Sequence, residues 1–217
     1  MLTEPLAAEL SSLTSSSSEP LDALWDVYPM TLSCLGDAPA GRLVQDFYRW
    51  RKTAARATLA RQFPLFLATK KWAGEHAFLP TLAEAEWMIF DIKQDAELPV
   101  HGLDKIPFAG DEDWAGARFF FDPGHRVLES DWNLSEIFQD LSGIHERRPG
   151  RFLIYRHQGR PKVRPLKANE AELIEALDLG VSLGTIQDRP NGPDLDSFLF
   201  HKWIESGFLR AIHWPAV

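Results

Sequence analysis

Seven histidines, His76, His101, His125, His145, His157, His201 and His213, are the first candidates for chemistry. A zinc protease needs two of them four apart on one helix face with a glutamate between. No pair here has that spacing, and His145-Glu146 lacks its second histidine. A serine nucleophile in a GxSxG elbow, a GxxxxGK[ST] phosphate loop and a GxGxxG dinucleotide loop are also missing. The single cysteine, Cys34, follows Leu32-Ser33 with no adjacent cation to favour its thiolate, and reads as a core thiol. Glu84 and Glu86 are two apart on a helical stretch, so they face different directions and cannot share a substrate. These residue types and spacings point away from an enzyme and from a metal site in this chain.

One charged stretch is conspicuous. Arg42, Arg49, Arg51, Lys52, Arg56, Arg61, Lys70 and Lys71 share a segment whose only acid is Asp46, and Phe47, Tyr48 and Trp50 interleave them. A nucleic-acid face is one reading; a solvated helix surface that docks on an acidic neighbour is the other. The net charge of −8 over 217 residues favours the second, because the field of the whole molecule repels phosphate backbones. Eight tryptophans and fourteen phenylalanines suggest an extended partner surface as well as a core, although Trp114, Trp132 and Trp214 each read as core.

The elements that position these residues fall into two halves. After a Ser-rich start, Leu21, Leu24, Trp25 and Tyr28, then Leu43, Val44, Phe47 and Tyr48, then Ala55, Leu59, Phe63, Leu65 and Phe66 recur at helical spacing. Pro29, Pro39, Pro64 and Pro80 punctuate these runs, and Leu82 to Ile92 supplies a fourth helix. The spacing predicts a flexible terminus over 1–20, a helical bundle over 21–100 and a connector over 101–116, where Asp111-Glu112-Asp113 breaks any period. A domain over 117–217 follows.

In that domain Ala117 to Phe121 and Arg126 to Glu129 flank Asp122-Pro123-Gly124-His125 as a first hairpin, and Asn133 to Leu141 reads as a helix. Arg151 to His157 and Pro161 to Leu166 form a second hairpin around Gln158-Gly159. Asn169 and Glu172 have capping-box spacing before a helix closed by Gly180. Ser182 caps a short second helix, and a third opens at Asp194 or Asp196, faces Leu195, Phe198, Leu199, Trp203 and Ile204 inward, and stops at Gly207. The fold class is α+β: a helical bundle, then a small antiparallel sheet with a helical C-terminal part. No apolar run approaches a membrane span and no secretory signal is visible, so a cytoplasmic location is expected.

The stretch from Arg151 to Leu209 is similar to the winged-helix-like peptide-recognition domains of modified-peptide biosynthesis: a strand pair, a Gly-ended helix, a short helix, and a helix ending in Gly-Phe-Leu. Upstream, FPLFLA at Phe63 to Ala68, FLPTLAEAEWMIFDI at Phe78 to Ile92 and FDPGHRVLESDWNLSEIF at Phe121 to Phe138 resemble the HvfC/BufC family. The start of the chain departs from that family's pattern, which aligns the resemblance with the partner subunits of the methanobactin or 3-thiaglutamate pathways.

The resemblance implies a non-catalytic subunit that binds the leader of a ribosomally made precursor peptide beside an iron-dependent oxidase, the iron residing in that partner and no cofactor in this chain. It implies peptide contacts from Phe152, Ile154, Arg156, Val163 and Arg164 of the second hairpin and from Phe198 and Lys202 of the last helix. The oxidase would dock through Arg49, Arg51 and Lys52 of the helical half, giving a heterodimer. Pro161 and Pro165 cannot donate to a ladder and are expected to lie at a sheet edge or to face away from it. A DNA-binding winged helix is the alternative, but its third helix would offer only His201 and Lys202 as basic residues.

Overall fold

The computed structural model describes residues 19–51, 59–72, 76–189 and 197–215. The chain is α+β and divides into two compact units, one made of Met1–Phe90 with Glu136–Arg147, the other of Asp91–Ser135 with Arg148–Val217. Among the described residues no helix is long and apolar enough to cross a membrane.

The first unit is helical: α1 (Glu19–Val27), α2 (Pro29–Leu35), α3 (Asp37–Trp50), α4 (Leu59–Ala68) and most of α5 (Leu79–Ile92). Its apolar stripes converge as the spacing predicts, burying Leu24, Tyr28, Leu32, Val44, Phe47, Phe63 and Phe66 in one core. Phe47 sits at the centre, with ring centroids 5.2 Å from Phe63 and 5.4 Å from Phe66. Leu65, expected to face inward, is exposed. The prolines do not all separate helices. Pro29 and Pro80 sit in first turns, where no intrahelical partner is lost, whereas Pro64 lies inside α4. Ala55, Arg56 and Lys52 lie outside the described residues.

The second unit contains a 3-10 turn (Leu103–Phe108), α6 (Asp111–Gly116), β1 (Arg118–Phe121), β2 (His125–Trp132), most of β3 (Arg147–His157), β4 (Arg160–Leu166), α8 (Ala168–Asp178), α9 (Leu183–Gln187), α10 (Ser197–Glu205) and β5 (Leu209–His213); α7 (Leu134–Gln139) lies at the boundary between the units. Three expectations are corrected here. Asp111-Glu112-Asp113 does not break structure: the three acids form the first turn of α6, where they complement the helix dipole, and Asp113 accepts from the Gly110 N–H at 2.9 Å. The first hairpin does not exist. β1 pairs antiparallel with β5, and β2 joins β3 and β4 in a separate three-stranded sheet. The Asp122 N–H continues the β1 ladder to the Phe208 carbonyl at 2.8 Å, so the turn after it leads the chain away to another sheet. Asn169 is not a cap; α8 starts at Ala168 after Lys167, with no side-chain cap.

The other local signals are met. Gln158 and Gly159 adopt φ of 51° and 74°, the paired left-handed turn that matches strand twist, and seven residues of β3 pair with seven of β4, from Arg151↔Leu166 to His157↔Arg160. Ser182 accepts from the Thr185 N–H to cap α9. Gly207, at φ 69°, ends α10. The second core gathers Phe119, Phe121, Leu153, Leu173, Ile174, Leu177, Trp203, Phe208 and Ile212, with Trp114 and Trp214 packed against it. Trp132 is also buried. Phe200, rather than its neighbour Leu199, is the buried residue of that turn of α10.

Candidate functional site

Strand β4 ends the three-stranded sheet, so among the described residues one of its sides has no strand neighbour. Which backbone groups it presents follows from the register. The Arg156 N–H donates to the Gly124 carbonyl at 3.0 Å, away from β4, so Arg156 and its partner Pro161 form a non-hydrogen-bonded pair. Alternation makes Ile154↔Val163 and Phe152↔Pro165 the same kind. The backbone groups of Pro161, Val163 and Pro165 therefore point off the sheet. Two of the three have no N–H, so this stretch of edge offers three carbonyls and a single donor, that of Val163. Such an edge resists pairing with a second copy yet leaves one residue able to make both main-chain bonds to an incoming strand.

Helix α10 is tied to β4 through one buried carboxylate. Glu170, near the start of α8 and 5% exposed, makes a two-point ion pair with Arg164 of β4, with one N–H···O distance of 3.0 Å, and accepts from the Trp203 indole of α10 at 3.1 Å. Burial pushes the Glu170 carboxyl upward, but the Arg164 hydrogen bonds and charge, the Trp203 N–H and the nearby charge of Lys202 outweigh it and hold the pKa below the usual value. His157, at the end of β3, reaches the Ser206 carbonyl at 2.8 Å beyond α10.

Arg164 and Lys202 thus both act on Glu170, while Val163 stands on the opposite face of β4. Lys202 is exposed and Val163 half-buried. Phe198 lies on α10, and its side chain is outside the described residues. Phe152 and Ile154 are buried, and so is Arg156, all on the sheet face opposite Leu153. These three residues support the strand from within and do not line its open edge.

Arg156 belongs to a buried charge cluster that no motif announced. Asp122, fully buried, accepts from Arg156 at 2.5 Å, from Arg210 at 2.9 Å and from the Gly124 N–H at 2.8 Å. Arg156 also donates to the Asp95 and Ala96 carbonyls, Arg126 pairs with Asp91 and Asp95, and Arg210 reaches Glu97 at 3.5 Å. Next to this cluster, the His125 Nδ1 lies 2.5 Å from the Asp122 carbonyl and Nε2 lies 2.8 Å from the Asp178 carboxylate. Both neighbours are acceptors, so only the imidazolium satisfies both nitrogens. Burial depresses its pKa, but Asp178 and the Asp122 carbonyl more than compensate and the net shift is upward. Asp-Pro-Gly read as a hairpin turn because pairing residues 34 and 88 positions downstream leave no local pattern.

In the helical unit Arg49 is exposed and bonds Asp46 at 3.2 Å, and Asp46 also lies 3.7 Å from Lys70. Arg51 stacks over Tyr48 at 5.1 Å, and Lys52 is outside the described residues. The buried ionisable residue of this unit is Glu86, which accepts from the Met30 N–H at 2.6 Å and the Thr31 N–H at 2.9 Å and so fastens α5 to the start of α2. Burial pushes its pKa up to about 7 against those hydrogen bonds. Burial, with the Glu86 charge, also raises the Cys34 thiol to about 11, which leaves it an unreactive thiol. Glu84 points elsewhere and is exposed. No group of three or more His, Cys, Asp or Glu converges among the described residues as a metal site would require. Compared with known proteins, the chain matches no family model and no curated sequence.

Proposed function

We propose that this chain is a non-catalytic partner subunit that binds the leader of a precursor peptide and presents its cysteine-containing core to an iron-dependent oxidase. The observation that carries the reading is the open edge of β4, braced against α10 through Glu170, with Val163 as its one complete main-chain anchor. An extended leader added there gains main-chain bonds at Val163 and side-chain contacts from β4 and α10. Holding the leader raises the local concentration of a weakly bound core at the partner's iron, so no reactive residue is needed in this chain. The helical unit would supply the oxidase surface through Arg49 and its neighbours.

The test is leader affinity by fluorescence anisotropy, together with co-purification with the oxidase after co-expression. Val163→Pro removes the last outward donor without touching the β3 ladder and is expected to weaken leader binding by up to about tenfold while oxidase binding persists. Reversing charge at Arg49 and Arg51 is expected to weaken co-purification and spare leader binding. Leader affinity unchanged in Val163→Pro would place the clamp elsewhere.

A further inference from the structure

The outward side chains of β4 are not neutral. Arg160, Lys162 and Arg164 occupy alternate positions, so they stand on one face of the strand, opposite His157, Tyr155 and Leu153 respectively. Arg164 is committed to Glu170. Arg160 and Lys162 are exposed and have no ion-pair partner among the described residues, whereas Lys202 on α10, also exposed, acts on the Glu170 carboxylate. Two uncompensated cations therefore stand on the edge strand of a chain whose net charge is −8. The edge itself is short of donors, so main-chain pairing alone is a weak source of affinity there.

From this we infer that the segment captured at β4 is acidic, with carboxylates at alternate positions along an extended strand. The inference rests on the reading of β4 as the peptide edge and specifies the chemistry of what binds. The ligand residue opposite Val163 makes both main-chain bonds and points to the Val163 face. Its two neighbours then lie beside Lys162 and Arg164, and a residue two further along lies beside Arg160. Acid-x-acid spacing, about 6.7 Å between the two carboxylate-bearing residues, matches Arg160 and Lys162, Arg164 being held by Glu170. Cross-strand opposite charges each contribute roughly two- to fivefold in affinity. A peptide fits better than a nucleic acid strand because the cations follow the two-residue period of a β-strand and α10 adds only Lys202 and His201 as basic residues.

The experiment uses the full chain and labelled peptides of about ten residues: one with Glu at alternate positions, its counterpart with Lys at the same positions, and a single-stranded DNA oligonucleotide of equal charge to the acidic peptide. Affinity is read by anisotropy at low and high salt. The acidic peptide is expected to bind at least about tenfold more tightly than both others and to weaken with salt. The double variant Arg160→Glu with Lys162→Glu should lose roughly tenfold for the acidic peptide. Arg118→Glu, a charge reversal on β1, should lose nothing. Equal binding of the Lys peptide, tighter binding of the DNA, or no effect of the double reversal overturns the acidic inference. If Val163→Pro still weakens binding of peptides of either charge, the edge reading survives and only the acidity fails. If no peptide binds the wild-type chain, both fail.

Discussion

The helical unit and the sheet unit organise their interiors by different means. The first packs rings: Tyr28, Phe47, Phe63 and Phe66 form a contiguous aromatic core, and the buried carboxylate Glu86 serves to cap α2. The second combines an aromatic core with buried charge, placing Asp122 between Arg156 and Arg210 and Glu170 between Arg164 and Trp203. Ring packing is nondirectional and follows from apolar periodicity. Buried ion pairs are directional, and removing one partner strands the other, so they hold specific strands and loops in one arrangement. The unit proposed to bind peptide is the one whose edge strand is held by such pairs.

The contrast can be broken from either side. Asp122→Ala leaves two arginines without their acceptor and is expected to cost about 3–5 kcal/mol, measured by chemical denaturation. Phe47→Ala in the aromatic core is expected to cost a similar amount, about 3–5 kcal/mol, through cavity formation. If Asp122→Ala cost under about 1 kcal/mol, the charge cluster would be incidental to the fold.

pH separates the units more gently. Glu86 binds its proton more tightly folded than unfolded, so between its ordinary value of 4.5 and about 7 the folded chain holds more protons. Its contribution is therefore fully present below about 4.5 and is lost as pH rises to 7, a change of about 2–3 kcal/mol that Glu86→Gln should flatten. Glu170 has the opposite sign. Its pKa is lowered, so its contribution is present above 4.5 and lost as pH falls through the folded value. His125 is raised above 6.5, so its contribution holds below 6.5 and disappears as pH rises through the folded value. His125→Gln should remove that alkaline loss in thermal melts over the pH range. A wild-type pH profile unchanged in both variants would show that neither buried group governs it.

The smallest stability effect is expected for Val163→Pro, within about 1 kcal/mol, because its N–H points off the sheet and Pro161 and Pro165 already occupy equivalent positions. Ile154→Pro, whose N–H is directed toward β2 by the same alternation, should instead destabilise the sheet by about 3 kcal/mol or more. Similar losses for the two would mean that the outward assignment of odd β4 residues is incorrect.

Local rules sufficed for much of the fold. Helical spacing from Leu24 to Phe66 identifies the aromatic core, Gln158-Gly159 identifies the β3–β4 hairpin, and Ser182 and Gly207 identify a cap and a stop, because each depends on residues a few positions apart. Proline chemistry placed Pro161 and Pro165 at an edge for the same reason. The pairing of β1 with β5, across about ninety residues, left no local trace, and Asp-Pro-Gly imitated a hairpin turn. The roles of Arg156 and Arg164 were equally hidden. Both are arginines on adjacent strands of one hairpin, yet Asp122 draws one into the interior while Glu170 holds the other beside α10. Sequence by itself determined most of the helices and the β3–β4 hairpin, whose signals are steric and local; only the tertiary structure decided how β1, β2 and β5 pair and which charges are buried in pairs and which stay exposed, because that depends on partners brought together by folding.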